Sequence, residues 1–282
     1  MLRKTLKYDL GAVYKIWLIL SATVLVLSVV GGLSIRDLVM TGDEGNPFML
    51  FSIMGILVTI FSLCAYVLII ELLVLFRFYQ NFFTDEAYLT FTLPVKRKTL
   101  FNSKLIGAFI WSVANIAVVI LAITIMLALV PVQGNGTGSA LYEFLKIVLE
   151  LIKLLFENFS GWAFVYCVLG VIIYLLSTVF STLIIYACIT LGCTMVRKYK
   201  LLMAIAVYYV VNMLISLLSY VASFVMSLVL ISGIGLIENY SEAQIRVLVL
   251  FTLIAVASFL TVMCILAYRF SLSRIERRLN LA

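Results

Sequence analysis

Six stretches of the chain are apolar for about 20 residues or more, and this governs what it can fold into. They run approximately over 16–35, 49–76, 105–130, 162–193, 201–231 and 247–268. A helix needs about 20 mostly apolar residues to cross the hydrocarbon of a bilayer. In that medium only helices and closed barrels satisfy their own backbone groups. Of the 282 residues, 12% are charged, against about a quarter in soluble domains. The expected fold is an all-α integral membrane protein with six transmembrane helices, forming a single transmembrane domain over 1–282. Several runs exceed the minimum, so tilt or extension beyond the hydrocarbon is expected. The first run is longer than a signal-peptide core and no small-x-small cleavage pattern follows it, so it is expected to be a retained helix.

Lysine and arginine set the orientation. Sixteen of the twenty fall on one side of the six-span layout, in the N-terminal segment, around 77–104, at 197–200 and beyond 268. The other side holds Arg36, Lys146, Lys153 and Arg246. The basic side is the expected cytoplasmic side, which places both termini inside and the protein in the plasma membrane. Because the positive residues flank the spans and form no domain of their own, the net charge of +7 does not point to nucleic acid.

Histidine is absent, which excludes His-dependent triads, His-ligated zinc and His-ligated haem. Cys64, Cys167, Cys188, Cys193 and Cys264 lie inside apolar runs without a CxxC pair, as buried hydrophobes do. No GxxxxGK[ST] occurs, so the chain cannot itself cradle ATP phosphates.

Two segments are expected to lie on the membrane. In residues 1–15, Leu2, Leu6, Leu10 and Val13, continued by Trp17, recur at helical spacing, while Arg3, Lys4, Lys7 and Lys15 face elsewhere. That is the pattern of an interfacial amphipathic helix. In residues 140–157, Glu143, Lys146, Glu150, Lys153 and Glu157 repeat at spacings of 3 and 4 and alternate in sign, so neighbours can pair along one stripe. Crossing the membrane would cost about 12–17 kcal/mol for five central charges and return only about 4–8 from the apolar residues. The segment is expected to be an outer amphipathic helix between spans three and four, either a surface helix or a lid over an outward exit.

The polar window at 81–105, NFFTDEAYLTFTLPVKRKTLFNSKL, is expected to be the first cytoplasmic loop. Thr84 can cap a helix whose first turn holds Asp85 and Glu86, where the dipole favours acids. Tyr88, Leu89, Phe91 and Leu93 follow, and Pro94 ends the element. Lys96, Arg97, Lys98 and Lys104 mark the return to the membrane. An exposed aromatic patch there needs a cover, either the lipid interface or a groove on a partner protein. Asp and Glu gain nothing from an anionic leaflet, which favours the partner.

This stretch resembles the first cytoplasmic loop of type-2 ATP-binding-cassette exporter permeases, most closely those of Gram-positive bacteria. The likeness rests on Glu86, Tyr88-Leu89, Leu93-Pro94, Lys96-Arg97 and Lys104, and the six-span layout extends it along the chain. The resemblance implies that the loop is a coupling helix docked on a separate ATPase subunit. Asp85 and Glu86 would meet basic residues, Tyr88, Leu89 and Phe91 would fill a cleft, and Pro94 would fix the exit angle, with Lys96 and Arg97 beside them. It further implies two ATPase copies holding ATP and Mg, no cofactor or metal on this chain, and a second permease copy, identical or related. The chain itself is then not an enzyme.

Three polar residues in the spans are candidates for the pathway or a gate. Glu71, near the inner end of span two, either pairs at the helix end or serves a cavity. Asn115 and Asn212 are either interhelical hydrogen-bonding residues or pathway residues. Spans four and five are rich in Tyr, Ser and Thr, which suits an amphipathic or hydrophobic cargo such as a peptide, drug or lipid-like compound. The competing function is a secondary transporter or channel without an ATPase; it would want buried midplane charge and interrupted helices. A membrane enzyme would need a lysine base inside a span, and the lysines lie at loops and span ends.

Overall fold

The computed structural model describes residues 2–41, 49–84, 86–92, 95–131, 139–159, 161–196, 199–234 and 242–277. The described residues form eight helices: α1 (Leu2–Thr41), α2 (Met49–Phe83), α3 (Glu86–Thr92), α4 (Arg97–Leu129), α5 (Ala140–Phe159), α6 (Trp162–Met195), α7 (Lys200–Ile234) and α8 (Glu242–Arg277). Six of them (α1, α2, α4, α6, α7 and α8) are long and apolar enough to cross a membrane. They contain the six expected spans, save that α4 stops one residue short at Leu129. Helix α5 is not among the six, in line with its five charges.

The helices outrun the apolar stretches because polar residues at their ends still favour helix. Helix α2 continues past Arg77 to Phe83, and α8 past Tyr268 to Arg277. Residues 2–41 form one helix without interruption, so the basic N-terminal segment and the first span share a single element. No proline lies within that helix, and nothing in its sequence breaks the hydrogen-bond ladder at residue 15.

The chain divides into two compact units. The first contains Met1–Arg77 and Asn102–Glu157. In it α1 lies antiparallel to α2 and parallel to α4, as the contact registers require. Along α1 and α2, Gly31 faces Thr59 and Ser34 faces Gly55. Along α1 and α4, Leu6 approaches Gly107 and Gly32 approaches Leu129. A Cβ on Gly32 would stand 3.1 Å from the Met126 carbonyl, a tight approach that favours glycine, as small residues are favoured where membrane helices pack. Val24, Tyr66, Ile70, Val118 and Ala122 form the buried core of the unit.

A polar knot sits against that core. Asn115 of α4 accepts hydrogen bonds through Oδ1 from Trp17 Nε1 of α1 at 3.1 Å and from the Tyr66 hydroxyl of α2 at 3.0 Å. Trp17 also packs on Trp111, with ring centroids 5.4 Å apart. One amide thus ties three helices together. Asn115→Leu removes the shared acceptor from two donors. It is expected to lower stability by about 1 kcal/mol, since interhelical hydrogen bonds in bilayers average about 0.6 kcal/mol. Unfolding of Asn115→Leu and Asn115→Gln in detergent measures this; equal midpoints for both and the unmodified protein would rule it out.

The second unit contains Phe78–Phe101 and Asn158–Ala282. Helix α6 packs against both α7 and α8. Gly192 of α6 abuts Ala204 of α7 so closely that a Cβ would come within 2.5 Å of the Ala204 backbone. Between α6 and α8, the Tyr166 hydroxyl donates to the Arg246 carbonyl at 2.9 Å. Cys264 Sγ lies 3.8 Å from the Leu176 carbonyl.

Candidate functional site

The polar window at 81–105 starts within α2, includes all of α3 and ends within α4. Past Arg77, α2 carries Phe78, Phe82 and Phe83, at spacings of four and one, which puts them on one side of the helix. All three are buried, Phe78 and Phe82 completely. Phe78 stacks face to face on Tyr186 of α6, with centroids 3.8 Å apart and planes 7° apart. Phe101 of α4 stands edge-on to Phe78 and Tyr186, each 6.1 Å away, and to Tyr268 of α8 at 5.5 Å. Phe82 packs on Phe78 at 4.9 Å. Edge-to-face and stacked pairs at such distances contribute about 0.5–1.5 kcal/mol each beyond their burial. Four helices (α2, α4, α6 and α8) thus meet at one cluster of rings.

Helix α3 is the short connection between the two chain segments that supply Phe78 and Phe101. Thr84 does not cap it through its side chain as expected: its hydroxyl donates backwards to the Gln80 carbonyl of α2 at 2.6 Å. Its own carbonyl instead accepts from Ala87 N at 2.9 Å. Ala87 is fully buried and its neighbour Tyr88 is 66% exposed. Glu86 is exposed in the first turn. The helix therefore turns one face inward at Ala87 and presents an acid and a phenol outward. Leu89 and Phe91 belong to α3, though their side chains, like Asp85 and Pro94, lie outside the described residues.

Arg97 has a structural partner that the sequence did not reveal. Its Nη1 donates to the Ile275 carbonyl at 3.1 Å. Ile275 is in the last turn of α8, where carbonyls lack intrahelical partners and a cation suits the dipole. Lys96 and Lys98 are exposed beside it, and the Lys96 carbonyl starts α4 by accepting from Thr99 N at 2.8 Å.

Further along α4, Lys104 pairs with Asp9 of α1, and Ser103 Oγ donates to Asp9 Oδ2 at 3.3 Å. Lys104 is 8% exposed and Asp9 19%, so this is a largely buried ion pair. Of the three polar candidates in the spans, Asn115 belongs to the knot described above. Glu71 is exposed on α2, and Asn212 is half-buried on α7. Among the described residues, no group of three or more Cys, Asp or Glu is placed to hold a metal ion.

The ring cluster and the Asp9 pair escaped sequence reasoning for different reasons. Phe78, Phe82 and Phe83 read as the tail of an apolar run; only Arg77 before them hinted that the helix had passed beyond it. Tyr186, Tyr268 and Asp9 carry no local signal, because their partners lie far away in sequence. No family model, curated protein or solved structure matches the chain.

Proposed function

We propose that this chain is the membrane-spanning permease subunit of an ATP-binding-cassette exporter, with α3 as the coupling helix that a separate ATPase grips. The observation that carries this reading is the construction of α3. A two-turn helix offers Glu86 and Tyr88 outward while Ala87 is buried, between segments whose rings lock four long helices together. A loop that served only as a connector would gain nothing from an exposed acid and phenol mounted this rigidly. The loop side is then cytoplasmic. Two ATPase copies hold ATP and Mg, a second permease copy completes the path, and the cargo is amphipathic or hydrophobic.

In this reading, nucleotide-driven closure of the ATPases displaces α3. The ring cluster passes the displacement to α2, α4, α6 and α8 together, since packed rings resist compression. Arg97, held to the end of α8, stiffens the same joint.

Co-purification with the candidate ATPase, followed by ATP-driven export in vesicles, tests the proposal. Glu86→Arg and Tyr88→Ala should each reduce assembly and abolish most coupled transport while leaving the fold intact, because both side chains are exposed. Undiminished assembly and transport in both variants would remove the coupling role. Transport that persists without nucleotide would favour a secondary transporter.

A further inference from the structure

We infer that α5 lies in the plane of the membrane interface, with its apolar face against the acyl chains of the surrounding bilayer. Three observations carry this. The first is segregation: of the seven longer helices, α5 divides most sharply into a polar and an apolar face. Its charges form one stripe, within which Lys153 and Glu157 lie 3.7 Å apart. The opposite face carries Phe144, Leu151, Ile152 and Leu155, which are 49%, 55%, 44% and 44% exposed. Among the described residues nothing covers that face, and a helix built this way rests at an interface.

The second is tethering. Ala140 N donates to the Val130 carbonyl at 2.7 Å, immediately beyond the last residue of α4. Pro131 and Ser139 also bridge there. At the other end only residues 160 and 161 separate α5 from α6. A 20-residue helix is about 30 Å long, whereas so short a linker reaches only about 10 Å. If α5 stood away from the bilayer, α6 would have to begin far out in water, with its first apolar turns unsolvated by lipid. One end of α5 is therefore held where α4 leaves the membrane, and the other where α6 enters it.

The third is the level marker. Trp162, the first residue of α6, is 49% exposed, and Trp concentrates at the headgroup level of membrane helices. The helix that ends just before it lies at that depth. The stripe holds three acids and two bases, so it has no net attraction to anionic headgroups, and apolar area alone supplies the anchoring.

Nitroxide labels on single cysteines test this in the full chain, with the five native cysteines replaced, in phosphatidylcholine vesicles with and without phosphatidylglycerol. Labels at Ile152→Cys and Leu155→Cys report the apolar face, and labels at Glu150→Cys and Lys153→Cys report the stripe. The ratio of accessibility to oxygen over a water-soluble nickel chelate should be severalfold higher at 152 and 155 than at 150 and 153. It should be the same in both lipid mixtures. Equal, water-like ratios at all four sites would overturn the inference. So would shielding of 152 and 155 from both reagents, which would mean a protein cover, or a depth that changes with phosphatidylglycerol.

Discussion

Phe78→Ala should unfold well before the unmodified protein, at a cost of about 3–5 kcal/mol, the range for deleting a buried phenylalanine side chain. Phe78 is fully buried, and its ring touches Phe82, Phe83, Phe101 and Tyr186 at once. Alanine leaves a cavity that four long helices would have to close by moving. Phe78→Leu keeps much of the volume but gives up the ring pairs with Phe82, Phe83, Phe101 and Tyr186, and should lose clearly less than the alanine variant. The comparison also speaks to mechanism. Under the proposed exporter function, with the cluster relaying motion from α3, Phe78→Ala should weaken the link between ATP hydrolysis and export even at temperatures where it stays folded. Thermal unfolding in detergent, paired with the ratio of cargo exported to ATP hydrolysed, measures both. An unfolding midpoint unchanged by the alanine substitution would show that the rings do not carry the packing assigned to them.

The second large effect is expected at the ion pair between α1 and α4. Lys104→Ala strands the Asp9 carboxylate, mostly buried, with Ser103, among the described residues, left hydrogen-bonded to it at 3.3 Å. Removing one partner of a buried pair typically costs 3–5 kcal/mol, while replacing both with groups that need no partner is often neutral. Asp9 keeps some access to solvent, so the lower end, about 3 kcal/mol, is expected for Lys104→Ala. The double variant Asp9→Leu with Lys104→Met should recover most of that loss. A double variant no more stable than Lys104→Ala would mean that the pair is not the coupled unit described here.

The sequence made some features plain and hid others, for physical reasons. The spans were legible because hydrocarbon demands length and apolarity, and composition along the chain records both. The exclusion of α5 was legible because five charges repeat on one stripe; the expected 140–157 became Ala140–Phe159. Helix α3 was legible as an element, since acids followed by an aromatic run and a proline bound it; it runs over Glu86–Thr92. Its start was misjudged at Thr84, whose hydroxyl found the end of α2 nearer than the start of α3. Helix ends were generally longer than the apolar runs, because a helix stops where its backbone bonding stops and not where lipid does. Tertiary partnerships were not legible at all. Nothing in the spacing of Arg97 announces Ile275, and nothing near Asp9 announces Lys104, since helix periodicity reports which face is apolar but not which neighbour it meets.

The contact between Arg97 and Ile275 also sets an order of events during synthesis. The two residues are 178 positions apart. At ribosomal speeds of about 5–20 residues per second, the guanidinium waits roughly 9–36 s for its carbonyl to be made. Phe101 waits nearly as long for Tyr268. A nascent chain halted before α8 therefore holds α3 on an unfinished mount, and only a chain that includes α8 offers α3 in its seated form.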